Sequence, residues 1–374
     1  MGFNTWNTFG ECFYDHTVRE IADALVDKGF KDAGYEYLIV DDHWAMEYRD
    51  KETNKLISRP GKFPETIKPT IDYVHSKGLK FGIYSCAGLR TCGTKMASYD
   101  YEFLDAKTFA ELGVDYLKYD YCLKPDSQDG ETLYRRMGLG LRHSGRDIVY
   151  AACNWGWDDV WSWIRAAGAH TYRSTGDIYD NFDSFRGIFQ SQILKLGSST
   201  PGCFNDMDMM TVGMEGSGNA AAGEYGNDAT YRIQFCVWCM FQTPLILGCD
   251  VRSVADKYRE LLCNRELIAI NQDVECRPPF PIGADDRLVF CKLLSDGSYA
   301  LLFINVNDAD GKMSFIAQEI GLTEESGMRL HLTDILNGEE FTYHDGFITV
   351  PVPAKDCRIF KGKLIPKEDV IPHE

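Results

Sequence analysis

The chain has 374 residues, 44% of them hydrophobic and 25% charged, with a formal net charge of −17. That length holds one large domain and a small one. So acidic a chain repels the phosphates of nucleic acid and of anionic membrane, and no apolar run approaches the roughly 20 residues of a membrane-spanning helix, so neither is expected as a partner.

Residues 3–6 read as a short first strand. Thr17-Val-Arg-Glu20 has the capping-box pattern and predicts a helix to about residue 31. A buried strand over 35–40 follows and ends at Asp41-Asp42; then come a helix over 67–76, stopping at Gly78, and a strand over 80–84. The beat repeats with a helix over 105–112 ending at Gly113, a strand over 114–119 ending at Asp120, and a helix over 130–142. A strand over 148–152 leads to Cys153-Asn154, and a Trp-rich helix precedes a strand over 170–173. Further helices are expected over 185–196, 230–241 and 254–264, with strands at 203–208 and 245–247 between them. Eight strand–helix units imply parallel strands with helices outside, and a closed ring rather than an open sheet. From about Pro278-Pro279 the helical patterns stop. Short strand candidates at 288–292, 299–304, 347–351 and 357–360 are separated by turns such as Asp296-Gly297 and Asn337-Gly338. The expected fold is an α/β protein: a (β/α)8 TIM barrel over 1–277, followed by a C-terminal antiparallel β-sandwich over 278–374.

Thirteen cysteines are an odd count for a disulfide framework. The single C-x-x-C, Cys236-Val-Trp-Cys239, has no second copy to complete a zinc site. Mostly reduced thiols, and no basic-then-apolar leader in the given chain, suggest a cytoplasmic protein, or a secreted one if a leader was removed.

Barrel chemistry gathers at the C-terminal ends of the strands. Those ends carry Trp6, Asp41, Asp42, Tyr84, Lys118, Asp120, Cys153, Asn154, Arg173, Asp177, Asp206 and Asp208. Such a ring of aspartates can bind a metal, hydrogen-bond sugar hydroxyls, or cap the following helices. His-rich ligand sets are lacking, which weakens the metal reading, and Trp6, Trp44 and Trp155 offer apolar faces, which favours sugar; no cofactor is expected. Glycoside cleavage needs two carboxyl groups flanking the bond. Lys118 stands two residues before Asp120 on one strand, so both face the same side, and the cation favours an ionised Asp120. An acid partner needs a raised pKa; Asp177 is a candidate, though spacing alone does not single it out.

The stretch Asp115-Tyr-Leu-Lys-Tyr-Asp-Tyr-Cys122 resembles the nucleophile strand of glycoside hydrolase family 27, the α-galactosidases and α-N-acetylgalactosaminidases. Gly2-Phe-Asn-Thr-Trp6 is similar to its opening GWNSW, Val40-Asp-Asp-His-Trp44 to DDCW, and the segment from Tyr73 to Ser85 to KGLKxGIYSD. Arg173-Ser-Thr-Gly-Asp-Ile178 resembles RTTGDI and Phe204-Asn-Asp-Met-Asp-Met209 resembles WNDPDM. Leu245-Ile-Leu-Gly-Cys-Asp-Val-Arg252 and Ile270-Asn-Gln-Asp273 match two further segments. The resemblance implies a retaining exo-glycosidase releasing terminal α-D-galactosyl residues from an oligosaccharide or glycoconjugate. Asp120 would attack, and Asp177 would act as acid and then base. It also implies that Trp6, Asp41, Asp42, Tyr84, Lys118, Arg173 and Asp208 line the sugar pocket, Asp41 and Asp42 holding the 4- and 6-hydroxyls and Arg173 reaching the 2-hydroxyl. Cys92 and Cys122 stand where the family has a disulfide beside the pocket, and Cys153 belongs to the same wall.

The family's CEWG is here Cys153-Asn-Trp-Gly156, so Asn154 replaces a Glu that helps to recognise the carbon-2 substituent. Trp157 follows where a smaller residue is usual and should disfavour an N-acetyl group. His43 replaces a cysteine, and Cys86 replaces the Asp of GIYSD. Alternatives are an α-N-acetylgalactosaminidase or β-L-arabinopyranosidase of the same family. A catalytically inactive sugar-binding protein is disfavoured by the presence of both carboxylates and Lys118. The oligomeric state, a homo-oligomer included, stays open.

Overall fold

Short apolar runs that end in polar residues form eight strands: β1 (Gly2–Asn4), β2 (Tyr37–Ile39), β3 (Lys80–Cys86), β4 (Tyr116–Asp120), β5 (Val149–Cys153), β6 (Thr171–Arg173), β7 (Phe204–Asp206) and β8 (Ile246–Leu247). They belong to a computed structural model that describes residues 1–283, 288–343 and 346–367. All neighbours are parallel, and spatial order follows chain order with β8 beside β1. The ring closes beyond β7, where Met210 N donates to Ile246 O at 2.8 Å and Gly248 N donates to Met210 O at 2.9 Å. This is the expected TIM-like barrel, because parallel neighbours need a long crossover and the intervening helices supply it.

The helices α1 (Asp15–Asp27), α2 (Lys68–Ser76), α3 (Glu102–Leu112), α4 (Gly130–Arg142) and α5 (Phe182–Gln192) follow the first strands. α4 starts at the expected residue because the Asp129 side chain accepts from Thr132 N at 2.7 Å. α3 stops at Gly113, whose φ of 90° suits a residue without Cβ. α1 departs from expectation: Thr17 is not its cap. The helix starts earlier, behind Tyr14, where the Asp15 carboxylate takes Arg19 Nε at 2.9 Å and Thr70 Oγ1 at 2.5 Å, and Thr17 is buried inside it. The Trp-rich helix is only a short 3-10 segment, Trp157–Ser162, broken by the left-handed residues Asp158 and Asp159. A hairpin of Ala45–Arg49 with Leu56–Ser58 was not foreseen.

Contacts divide the chain into two compact units: Met1–Ser191 with Pro201–Gly226 and Thr243–Cys263, and Gln192–Thr200 with Asn227–Gln242 and Asn264–Glu374. The sequence reading draws one cut after residue 277. By contacts alone, helices α6 (Asp228–Met240) and α8 (Arg265–Asn271) group with the second unit, while α7 (Asp256–Leu262) groups with the first. Side chains explain the assignment. Phe241, just past α6, meets Phe290 edge-on at 5.0 Å, Arg232 grips Asp356, and Asn271 Nδ2 donates to Trp238 O at 3.0 Å.

The second unit holds β9 (Phe280–Ile282), β10 (Val289–Leu293), β11 (Tyr299–Asn305), β12 (Gly311–Ile316), β13 (Met328–Asp334), β14 (Glu340–Tyr343), β15 (Phe347–Val352) and β16 (Asp356–Pro366). Antiparallel pairing gives a six-stranded sheet, β9-β10-β11-β16-β13-β14, and a two-stranded sheet, β12-β15. Alternate residues of both, including Leu301, Phe303, Leu330 and Phe360 on one side and Phe315, Ile348 and Val350 on the other, form one buried core. This is the expected sandwich.

Candidate active site

At the C-terminal ends of the barrel strands lies a cavity of about 290 Å³. Asp41 and Asp42 follow β2. Asp41 Oδ2 accepts from Asn4 Nδ2 and from Lys118 Nζ, both at 2.8 Å. Asp42 Oδ2 accepts from Gly93 N at 2.7 Å, and burial raises its carboxyl above the usual range. On β4, Lys118 and Asp120 share a face, as two-residue spacing on a strand requires. The Lys118 ammonium loses hydration, but Asp41 holds it firmly charged. Asp120 Oδ2 accepts from Tyr84 OH at 2.8 Å and its Oδ1 from Tyr121 N at 2.9 Å.

β6 ends in Arg173, whose Nη2 lies 2.8 Å from Asp177 Oδ1 and whose Nη1 lies 2.9 Å from Asp208 Oδ1. Asp208 Oδ2 also accepts from Ile178 N at 2.8 Å. Asp208 holds a φ of 79°, left-handed in a non-glycine residue, so backbone strain is retained at the cavity wall.

Trp6, Asp41, Asp42, Tyr84, Cys92, Lys118, Asp120, Cys153, Arg173, Asp177 and Asp208 all line this cavity. Asn154 and Trp157 do not. Asn154 is buried in its own loop, Nδ2 donating to Trp157 O at 2.8 Å and Oδ1 accepting from Gly156 N at 3.3 Å. Trp157 points outward, 63% exposed. The left-handed φ of Trp155, 59°, reverses the chain there, and Trp155 lines the cavity instead. Asn7, Tyr179 and Asn219 also line it and carried no sequence signal beyond their closeness to motif residues. The Asn7 Nδ2 is buried without a partner among the described residues, a donor open to a ligand.

The ionisation pattern differs from the sequence expectation. Burial pushes Asp120 up to about 6, outweighing Lys118 and the Tyr84 hydroxyl. Lys118 is committed to Asp41, which weakens its hold on Asp120. Asp177 loses some hydration, which raises its pKa, but the Arg173 guanidinium wins and holds the carboxyl below its usual value. Desolvation is the largest single influence on Asp177, but the charge and the hydrogen bond of Arg173, helped by the charge of Lys118, together outweigh it.

Cys92 and Cys122 form a disulfide beside Asp120, with Cys92 Sγ 3.4 Å from Asp120 Oδ2. Gly88 allows the two loops to meet, since a Cβ there would collide with the Cys122 carbonyl oxygen. Among the described residues, Cys92, Asp120 and Cys122 are the one group of metal-ligand type whose donor atoms converge, and two of the three are tied to each other.

Residues 5–273 match the family profile described as alpha galactosidase A, and residues 284–361 match that of the alpha galactosidase C-terminal beta sandwich domain. The chain belongs to glycoside hydrolase family 27, the melibiases. It is 42% identical to an alpha-galactosidase of Coffea arabica over 370 residues, 96% of this chain and 92% of the relative. It is 37% identical to that of Cyamopsis tetragonoloba over 362 residues, 96% of this chain and 85% of the relative. The crystal structure of alpha-galactosidase I from Mortierella vinacea superposes with a TM-score of 0.89 at 32% identity, covering 97% of this chain and 96% of that one. This melibiase is therefore a glycoside hydrolase.

Proposed function

We propose that this melibiase is a retaining exo-α-galactosidase that removes terminal α-D-galactosyl residues from oligosaccharides or glycoconjugates. The observation that carries the reading is that Asp120 and Asp177 open on one small cavity together with Lys118, Arg173, Asp41 and Asp42. Its volume falls at the lower edge of the ~300–1,000 Å³ of ligand pockets, which suits one terminal sugar. Asp41 and Asp42 offer acceptors for hydroxyl pairs, and Arg173 offers donors.

Asp120 attacks the anomeric carbon, and the bond to the leaving oxygen breaks as Asp177 delivers its proton. The glycosyl–Asp120 ester is then cleaved by a water that Asp177 deprotonates, so configuration is retained. In the free protein the pair holds one proton up to about pH 6, mostly on buried Asp120. Chemistry needs that proton on Asp177. A bound sugar supplies the cause, because it strips water from a carboxyl that is otherwise largely exposed and gives Arg173 a hydroxyl to bind.

Eleven free cysteines, most of them buried, support a cytoplasmic setting for the same reading. A panel of nitrophenyl glycosides tests the activity. The α-galactoside should be turned over fastest, with the α-anomer of galactose as first product by NMR. Turnover of the α-N-acetylgalactosaminide or β-L-arabinopyranoside without the α-galactoside would replace the proposed substrate. A β-anomer as first product would sink the mechanism.

A further inference from the structure

The corner of the cavity next to Asp120 has a second chemistry that glycoside hydrolysis does not use. The Cys92 and Cys122 sulfurs and an Asp120 carboxylate oxygen all lie within 4.8 Å of one another. We propose that reduction of the Cys92–Cys122 disulfide turns this corner into an inhibitory site for one thiophilic divalent cation of the zinc type, held by both thiolates and the Asp120 carboxylate.

Donor chemistry and spacing both support the assignment. Zinc binds thiolate at about 2.3 Å and carboxylate oxygen at about 2.0–2.2 Å in a tetrahedron, which sets its ligands on the order of 3.5 Å apart. The three donors already converge to near that spacing; only the sulfurs must part once their bond is cut. Two soft thiolates select zinc or cadmium over magnesium or calcium. Cys92 is exposed, so a cation has a path in, and the cavity leaves the fourth position to water. Tyr84 OH, 2.8 Å from Asp120 Oδ2 and 3.4 Å from Cys92 Sγ, braces the carboxylate from outside the donor set. Lys118 does not compete for the site, since its ammonium is engaged by Asp41 at 2.8 Å.

The chemistry balances with a low-molecular-weight thiol as reductant. Two equivalents of thiol become one small disulfide as the protein disulfide becomes two thiols. The cation then displaces two thiol protons as it binds. A carboxylate shared with a cation cannot attack an anomeric carbon, so the loaded enzyme is silent. That consequence rests on Asp120 as the nucleophile; cation binding itself does not.

The test uses the whole wild-type chain and Cd²⁺ as probe. The protein is reduced, freed of reductant under argon, and treated with iodoacetamide with and without one equivalent of Cd²⁺, the labelled cysteines being read by mass spectrometry. Cd²⁺ should slow alkylation of Cys92 and Cys122 at least tenfold and leave exposed Cys12 reactive. Galactoside turnover of the reduced enzyme should fall in step with added Cd²⁺ and return with EDTA, while the oxidised enzyme is unaffected. Equal labelling of Cys92 and Cys122 with and without Cd²⁺ overturns the site. Protection of both thiols with turnover unchanged overturns the inhibition and takes the Asp120 carboxylate out of the site, while the role of Asp120 as nucleophile is read separately, from the activity of Asp120→Asn without cation. Asp120→Asn should keep the two thiols and bind Cd²⁺ at least tenfold more weakly; undiminished affinity would remove the carboxylate from the site.

Discussion

Two cavities of this molecule teach opposite lessons. The second unit holds the larger one, about 510 Å³, and the barrel the smaller, about 290 Å³. In the larger cavity the arginines are saturated. Arg232 meets Asp356 through two bonds at 2.9 and 2.6 Å, and Arg358 is shared between Asp334 and Glu339. In the barrel, five carboxylates, Asp41, Asp42, Asp120, Asp177 and Asp208, confront two cations, Lys118 and Arg173. Unequal charge in a confined space displaces pKa values and leaves groups ready to react. In the wider cavity the shifts run the other way: carboxylates bonded to Arg232 and Arg358 hold both guanidiniums more firmly charged, which leaves no group poised to give up or take a proton, so volume is a poor guide to where chemistry happens.

The contrast can be broken most severely at Asp120. Asp120→Asn should lower kcat by on the order of 10⁴-fold or more, measured on the nitrophenyl α-galactoside; activity within tenfold of wild type would remove the nucleophile from the account. Next comes Lys118→Met, which leaves Asp41 and Asp120 without their cation. Removing positive charge favours the neutral acid, so the Asp120 pKa should climb further, and kcat/KM should drop about 10²–10³-fold. An unchanged pH–rate profile in that variant would mean that Lys118 does not act on the pair.

The wild-type pH profile sharpens the comparison. With Asp120 raised to about 6 and Asp177 held low, the pair loses its last proton near pH 6. kcat/KM should therefore fall about tenfold per pH unit above that value and peak on the acid side, in the range between the two groups. A flat profile from pH 6 to 8 contradicts the charge assignment. The smallest effect belongs to the other cavity. Arg232→Met strands Asp356, but both groups keep some solvent, so the loss of stability should be about 1 kcal/mol. A thermal melt and a rate assay read it together: the melting temperature should drop while kcat/KM stays put.

The barrel and the Lys118–Asp120 pair were legible in the sequence because both rest on short-range periodicity. Apolar runs alternate with amphipathic ones, and two residues along a strand return to the same face. The order of the carboxyl pKa values was not legible. It depends on Lys118 being spent on Asp41, a residue 77 positions away, and on how the Arg173 guanidinium is divided between Asp177 and Asp208, which no local pattern encodes. Asn154 and Trp157 illustrate a second blind spot. Counting forward from a strand end assumes ordinary backbone, whereas Trp155, Gly156, Asp158 and Asp159 all have positive φ and swing the chain around. Helix α6 is a third. Its own sequence marks it as a helix of the barrel series, yet Arg232 and Phe241 find their partners in the sandwich strands.

The closure of the barrel carries its own consequence. β8 is two residues long, and a single bridge joins Met210 to Leu247 where the other neighbours share two or more register pairs. A ring yields at its thinnest link, so amide deuteration should reach Met210 and Gly248 before the middle of β4. Asp208 stands two residues from that link. The wall of the cavity that faces the seam is thus the one with freedom to breathe, while the wall that carries Asp120 is clamped between two long neighbours.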